Sequence, residues 1–439
     1  MTRKIESKYD AVVVGSGIGG LLSAAYLARK GYSTCVLEGL SFYGGKFTGF
    51  DYKGFQVPSG AFHLIPGGAA GNFGKCFAEL GLDIEYRIPK SALVVLEGGK
   101  RYKLHTNPLL MFAPQSYVHR FSFKETVSLM AIMYYLFRPN VELPDISFGD
   151  FLMLFSKSPR IKKFVDQFMI FANGTDVDLS SLIEFNQSVR TAKYRKGELV
   201  VGGCRHLTEE LVRAVKRSGG TLVNKTRVSR INVSGDRITG VDLADGTTVE
   251  ADLVVTNAGP KMTRKLLGKH TPKWFIQKQE NFLPANAIAF SVATDEPLLD
   301  HDTIEAPMDH NSICGYVQIS NLDSSLAPPG KHYLLAAQMI TDSTANITNE
   351  IEGGIRDLLD IFPQMRRQDI ICTSTFHRDW GGCPTGQRMG QSGPNRYPVK
   401  IDPFSNLYMV SHDSQGWGFA GDIIGDAASQ LNRMVPPKT

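Results

Sequence analysis

The chain has 439 residues, 42% of them hydrophobic and 21% charged, which gives enough apolar material for a buried core and enough length for two or three domains. Its 48 basic and 43 acidic residues leave a net charge of +5, too evenly balanced for a nucleic-acid footprint but compatible with a local basic face toward an anionic membrane. Six cysteines (Cys35, Cys76, Cys204, Cys314, Cys372 and Cys383) show neither a C-x-x-C pair nor histidines at zinc spacing, so reduced core thiols are expected, without a disulfide framework or a metal site.

The N-terminus, Met1 to Lys8, is polar and runs straight into the first strand, which does not fit an ordinary secretory signal. The longest apolar run, Thr126 to Phe137, falls short of the roughly 18 to 20 residues of a membrane span. A cytosolic chain able to rest on a membrane surface is the expectation.

The first strand is read at Ala11-Val12-Val13-Val14, followed by the turn Gly15-Ser16-Gly17-Ile18-Gly19-Gly20 and a small-residue helix through Leu21, Leu22, Ala24, Ala25, Leu27 and Ala28 that stops at Gly31. Cys35-Val36-Leu37 reads as the second buried strand, which places Glu38 18 positions after Gly20. That is close to the roughly 20 at which a carboxylate meets the ribose of a bound dinucleotide. In this order Gly15 gives the tight turn, Gly17 lets backbone approach a pyrophosphate, and Gly20 lets the helix pack closely on the sheet. The helix N-terminus then faces the phosphates. With 43 glycines such a pattern can fall in an ordinary loop, so the strand-helix-strand context carries the reading, together with Gly44-Gly45-Lys46 just downstream.

Residues 47 to 57 alternate around turn residues as a hairpin that leads into Pro58-Ser59-Gly60-Ala61-Phe62-His63. Two strands are expected within residues 90 to 104, the first from Ala92 to Leu96. From His105 to Leu182 long apolar stretches are broken by prolines, with helices at Lys124 to Phe137 and Ile161 to Phe171. Ser122 and Glu125 form a capping box for the first of these, and Pro139 stops it.

After Val200-Val201-Gly202-Gly203 comes a helix through Leu207, Leu211 and Val215, then strands at Thr221 to Asn224, Arg227 to Val233, Arg237 to Leu243 and Thr247 to Glu250, the last pair joined by the Asp245-Gly246 turn. Leu253 to Thr256 returns to the nucleotide sheet and opens onto Asn257-Ala258. Residues 262 to 395 mix strands and helices, including a helix from Asn349 to Ile361. The tail has a strand at Leu407 to Val410, a loop from Ser411 to Phe419 and a helix from Ala420 to Met434. A discontinuous nucleotide domain (1–89, 190–261 and 396–439) with a substrate domain (90–189 and 262–395) is expected.

Four stretches together resemble the phytoene desaturase and carotenoid isomerase group of flavoproteins, within the amine-oxidase superfamily: Gly15 to Gly20 with Glu38; Gly44-Gly45-Lys46; Gly202-Gly203 with the following helix and Val228; and Leu407 to Val410 with Gly416-Trp417-Gly418. The resemblance spans most of the chain. It implies an α/β fold, a Rossmann-like FAD-binding domain of the glutathione reductase and amine oxidase type with an inserted mixed substrate domain, and FAD as cofactor. It also implies that Gly44, Gly45 and Lys46 lie beside the pyrophosphate or flavin, and that Val228 holds the adenine through its backbone. Asn257-Ala258 would close over the adenosine, Ser59-Gly60-Ala61 would line the flavin face, and Asp413, Gly418 and Phe419 would stand at its ribityl and pyrimidine ends.

Three departures stand out. Lys46 replaces the usual arginine and loses its fork, Ser59 stands where relatives carry aspartate, and Ser411-His412-Asp413 replaces a Gly-Asp pair. His63 and His412 lie on segments expected near the flavin and are candidate acid or base groups tuned near neutrality, although a structural role is the commoner fate of such histidines. Met111, Phe112, Leu129, Met130, Ile132, Met133, Tyr134, Leu136 and Phe137, with Phe151 to Phe155, could roof a channel for a lipophilic substrate. Lys157, Arg160, Lys162 and Lys163 would hold its mouth at an anionic surface.

The function implied by the resemblance is a FAD-dependent oxidoreductase that desaturates, saturates or isomerises an isoprenoid or carotenoid-like polyene by hydride transfer at flavin N5. No second G-x-G-x-x-G in strand-helix context appears, which disfavours a dedicated NAD(P) domain and leaves a quinone or oxygen as acceptor. A flavin amine oxidase shares the fold, as do prenyl-protein escorts that bind no flavin, and the intact Gly15 to Glu38 unit disfavours the escort.

Overall fold

The strand Lys8–Val14 lies inside the first sheet, flanked in parallel by Thr34–Leu37 on one side and Thr248–Thr256 on the other. In the computed structural model, which describes residues 5–438 apart from 61, 92, 106–109, 111, 139–142, 192–196, 284, 341–344, 377–386 and 420, this sheet has seven strands. Thr221–Val223 extends it beyond Thr34–Leu37, while Arg237–Leu243 and Val228–Ser234 continue it as antiparallel strands beyond Thr248–Thr256. Leu407–Met409 also pairs in parallel with Thr248–Thr256.

Ala11 and Val13 belong to one buried cluster, with the helices Ile18–Arg29, Gly203–Arg217 and Gly421–Met434, whereas Tyr9, Val12 and Val14 belong to another beneath the antiparallel strands. Both faces of the strand are therefore covered, and its sequence is a continuous apolar run rather than an alternation. Thr248–Thr256 is one strand, where the sequence suggested two. Its start pairs with Arg237–Leu243 and its whole central and final part pairs with Lys8–Val14, so backbone bonding carries it through Asp252.

A second seven-stranded sheet runs in the order Ile370–Phe376, Asn286–Thr294, His332–Ile340, Ile313–Val317, Glu305–Pro307, Leu93–Glu97 and Lys100–Leu104. The helix Ile347–Ile361 covers one face of it through Ile355 and Leu358. Glu305–Pro307 pairs in parallel with Leu93–Glu97, a union that no local pattern announces.

Residues between these strands form a helical layer of Phe123–Phe137, Phe148–Met153, Pro159–Asn173 and Leu182–Thr191. Ser122 and Glu125 form the expected capping box: the Ser122 N–H donates to the Glu125 carboxylate at 2.8 Å and the Glu125 N–H donates to Ser122 Oγ at 3.3 Å. The second helix starts earlier than the apolar pattern suggests, because Ser158 caps it and Pro159 fits its first turn. Ile132, Leu136, Phe151 and Leu152 pack with Tyr117, Phe121 and Phe164 in the core of this layer.

Among the described residues the expected channel roof divides between core and surface. Ile132, Leu136, Phe151 and Leu152 are core, while Phe112, Met130, Met133 and Tyr134 face outward. Met111 lies outside the described residues. The physical reason is the helical period, which sends one set of these side chains into the layer and the other to the surface. Of the basic cluster, Arg160 pairs with Glu97 and Lys162 with Asp178, each at 2.6 Å, while Lys157 and Lys163 are exposed. Among the described residues no helix is long and apolar enough to cross a membrane.

Candidate cofactor site

At the carboxyl ends of the parallel strands a cleft of about 500 Å³ is bounded by the glycine turn, Glu38, Gly44 to Phe47, Ser59, Arg227, Val228, Asn257, Ala258 and Ser411 to Asp413. Crossovers to either side of Lys8–Val14 leave this crevice open at the strand ends, where a ligand can reach the N-terminus of the helix Ile18–Arg29. Ile18 through Ala28 are all buried, and the helix carries no acidic side chain in its first turn, so its positive end is left for an anion.

Gly20 sits so close to the strand that a Cβ there would lie 2.1 Å from the Gly15 carbonyl oxygen, which explains why only glycine fits. Gly17 is crowded differently. A Cβ on it would lie 2.3 Å from Asn257 Oδ1, and Asn257 is itself fixed by donating from Nδ2 to the Val410 carbonyl at 2.7 Å. Gly17 thus makes room for Asn257 as well as for a ligand. The Gly44 N–H donates to the Ser16 carbonyl at 2.9 Å, which seats the Gly44-Gly45-Lys46 loop directly on the glycine turn. Gly44 has φ 101° and Gly45 φ 59°, a left-handed pair that glycine adopts without strain.

Glu38 is 8% exposed at the end of its strand. One carboxylate oxygen accepts from Ser16 N–H at 2.8 Å and from Ser16 Oγ at 2.6 Å, and the other accepts from Leu40 N–H at 2.8 Å. The carboxylate is preoriented by three donors, and it lines the cleft. Ser16 is fully buried behind it, so its contribution is to hold Glu38. At the far end Ser59 Oγ donates to the Gly45 carbonyl at 3.0 Å, which stiffens the loop that carries Lys46. This serine, expected to line a flavin face, braces backbone.

The geometry suits an elongated dinucleotide. Along it Glu38, Arg227 and Val228 would hold the ribose and adenine, the helix start and Gly45-Lys46 the phosphates, and Ser59 with Ser411 to Asp413 the remaining end. His412 is half-buried there, and its Nδ1 finds no partner among the described residues, which leaves a polar atom for a ligand to meet.

A model of the family described as flavin containing amine oxidoreductase matches residues 18–422. The chain belongs to that family. The flavin-containing amine oxidoreductases depend on FAD, and this member is an FAD-dependent oxidoreductase. It is 28% identical to an uncharacterized protein of Methanocaldococcus jannaschii, over 84% of this chain and 86% of that one. It is 25% identical to the chloroplastic prolycopene isomerase of Daucus carota and 26% identical to the phytoene desaturase of Cercospora nicotianae. Those matches cover 74% and 73% of this chain but only 60% and 59% of the two enzymes. Among solved structures, an oxidoreductase from Methanosarcina mazei superposes with a TM-score of 0.85 at 25% identity, covering 97% of this chain and all of that one. A putrescine oxidase variant superposes at 0.70 and 14% identity, which speaks for the fold alone.

Of the residues expected to hold FAD, Gly15, Gly17, Ile18, Glu38, Gly44, Gly45, Lys46, Ser59, Val228, Asn257, Ala258 and Asp413 line the cleft. Ser16, Gly19, Gly20 and Gly60 are buried and do not line it, and Ala61 lies outside the described residues. Gly418 and Phe419 do not line the cleft either. Instead Gly418, at φ 128°, packs on Asp422, and Phe419 meets Phe185 edge-on at 6.4 Å. Trp417 is a packing residue: a Cβ on Gly393 would touch its ring, and Trp380 lies outside the described residues.

Both histidines depart from the acid or base expectation. His63 is 1% exposed, its Nδ1 accepts from the Cys204 N–H at 3.0 Å, and its Nε2 donates to the Gln56 carbonyl at 2.9 Å. These bonds fix a neutral tautomer, and burial pushes the imidazole down to about 4. It caps the start of the helix Gly203–Arg217 and has no face toward the cleft. His412 does line the cleft, yet burial and the charges of Arg396 and Lys46 push it down to about 3. Near neutral pH it is a neutral hydrogen-bonding group.

Sequence reading missed two buried carboxylates. Glu184 on the helix Leu182–Thr191 is fully buried against Arg396 at 3.5 Å, and desolvation raises it to about 7 against the opposing pull of that guanidinium. Asp422 is fully buried and accepts from the Phe73 N–H at 2.9 Å, capping the helix Asn72–Glu79 across the chain. Its Oδ2 has no partner among the described residues, and burial raises the acid to about 6. Neither position has a local signal, since each partner comes from a distant segment.

Proposed function

We propose that this flavoenzyme oxidises or isomerises a long, lipophilic, isoprenoid or carotenoid-like substrate that it takes from an anionic lipid surface. The observation that carries the reading is an apolar stripe on the helix Phe123–Phe137. Phe123 is 87% exposed, and Val127, Met130 and Tyr134 follow it outward at helical spacing. Tyr135 meets Phe155 at 5.3 Å, which joins this face to the exposed Met153 and Leu154. So much outward apolar surface on one helical layer marks an interaction face. Lys124, Lys157 and Lys163 are exposed on the same layer, which suits anionic headgroups around an apolar centre.

The likeness to a prolycopene isomerase and a phytoene desaturase supports the same substrate class. FAD, when bound, supplies hydride transfer at N5, with a quinone or oxygen as the terminal acceptor. The chain's own part is to seat the dinucleotide between Glu38 and Asp413 and to keep His412 uncharged beside it.

The test is anaerobic reduction of the FAD-loaded protein on anionic vesicles that carry a polyene, with amines in parallel. Bleaching of the flavin band by the polyene, and its loss with Phe123→Glu/Leu154→Glu, is expected. Bleaching by an amine in free solution, with no response to polyenes, would overturn the proposal in favour of an amine oxidase. Because an isomerase shows no net bleaching, products are also analysed after chemical reduction of the flavin.

A further inference from the structure

Glu184 and Arg396 are both wholly buried, and each makes a bond beyond the pair. The second carboxylate oxygen of Glu184 accepts from the Gly393 N–H at 2.8 Å. Arg396 donates from a terminal nitrogen to the His412 carbonyl at 3.1 Å, and its Nε has no partner among the described residues. The Tyr397 N–H, next in the chain, donates to the Asp413 carbonyl at 3.0 Å. The segment that begins at Gly393 is therefore clamped on one side by the helical layer, and on the other it carries the two backbone carbonyls of the turn that closes the cofactor cleft.

The helix Leu182–Thr191, which carries Glu184, touches two further elements. Asn186 donates to the Leu136 carbonyl at the end of the exposed helix Phe123–Phe137, and Phe185 meets Phe419 just before the helix Gly421–Met434. A buried pair of this kind is a poor source of stability, because removing two charges from water costs about as much as their attraction returns. What it supplies is a fixed geometry, at the point where the substrate layer meets the cofactor cleft.

We propose that Glu184 and Arg396 are positioning residues of the FAD site: the pair holds the Ser411-His412-Asp413 turn against the cleft and so fixes how the flavin end of the cofactor is seated. This rests on the FAD assignment. A pair that merely stabilises the fold would, when replaced by apolar side chains of similar volume, leave cofactor binding unchanged.

The test is Glu184→Leu/Arg396→Met, which removes both charges together and leaves neither stranded. FAD affinity by fluorescence titration, melting of the apoprotein and the visible circular dichroism of the bound flavin are compared with wild type. The expected result is an apoprotein melting within a few degrees of wild type, at least tenfold weaker FAD binding and an altered flavin dichroism. Wild-type affinity with an unchanged dichroic band overturns the proposal. If the double variant does not fold, Arg396→Lys is read instead: it keeps the charge but cannot reach Glu184 and the His412 carbonyl together. At least threefold weaker FAD binding with unchanged melting is then expected, and wild-type affinity overturns the proposal. Failure of the wild-type protein to bind FAD in the same titration would sink the cofactor assignment itself, which keeps the two outcomes apart.

Discussion

The replacement His63→Gln tests whether this histidine is a buried neutral bracket rather than a catalytic group. Its imidazole is pushed from the ordinary 6.5 down to about 4 because charging it would cost desolvation while it accepts a bond from Cys204 N–H. In the unfolded chain it takes up a proton near its ordinary value. The folded pKa is depressed, so its contribution to stability is complete above pH 6.5 and is lost as pH falls through about 4. At ~1.4 kcal/mol per pH unit the loss over that window is about 3 kcal/mol.

Glutamine does not titrate and can offer one donor and one acceptor to the same neighbourhood, so the variant should lose only about 1–2 kcal/mol at pH 7 through poorer bonds to Gln56 and Cys204. The assay is urea denaturation of the FAD-saturated protein from pH 7 to pH 4. Wild type should lose about 3 kcal/mol more than the variant across that range, so the two curves should cross between about pH 6 and pH 5 and the variant should be the more stable by about 1–2 kcal/mol at pH 4. Parallel curves would refute the reasoning. So would a variant of normal stability with abolished turnover, which would return His63 to chemistry.

Asp422 carries the opposite sign. Its folded pKa is raised from 3.8 to about 6, so its contribution is complete below 3.8 and is lost as pH rises through about 6. Asp422→Asn should therefore be the more stable protein at pH 8, by up to about 3 kcal/mol, and thermal melts from pH 4 to 8 that show no relative gain would contradict it. Gly20→Ala places a Cβ 2.1 Å from a backbone oxygen and should cost about 3 kcal/mol or more through a displaced helix; an unchanged melting temperature would rule out the close contact. Glu38→Ala strands the Ser16 and Leu40 donors and removes the ribose acceptor, with FAD retention after dialysis expected to fall about 10- to 100-fold for a loss of ~1.5–3 kcal/mol. Full cofactor content would count against that role.

Much of the cofactor site was legible because its signals are local. A tight turn, a closely packed helix start and a carboxylate at the next strand end must lie within about forty residues, and steric exclusion at Gly20 and positive φ at Gly15 and Gly44 leave few alternatives to glycine. The capping box of Ser122 and Glu125 was legible for the same reason. Ser16 illustrates the limit: its place in the motif is set by sequence, but its bond to Glu38 exists only because the two strand ends lie side by side.

By itself, then, the sequence determined the dinucleotide turn, the strands that flank it along the chain, and an apolar helical stretch between His105 and Leu182. Tertiary structure alone decided which apolar side chains of that layer are core and which face outward, since helical period supplies two faces and only packing chooses between them. It also decided that His63 is a bracket and that Glu184 meets Arg396, because a proton's affinity and a buried charge's partner depend on burial and on groups brought from far along the chain.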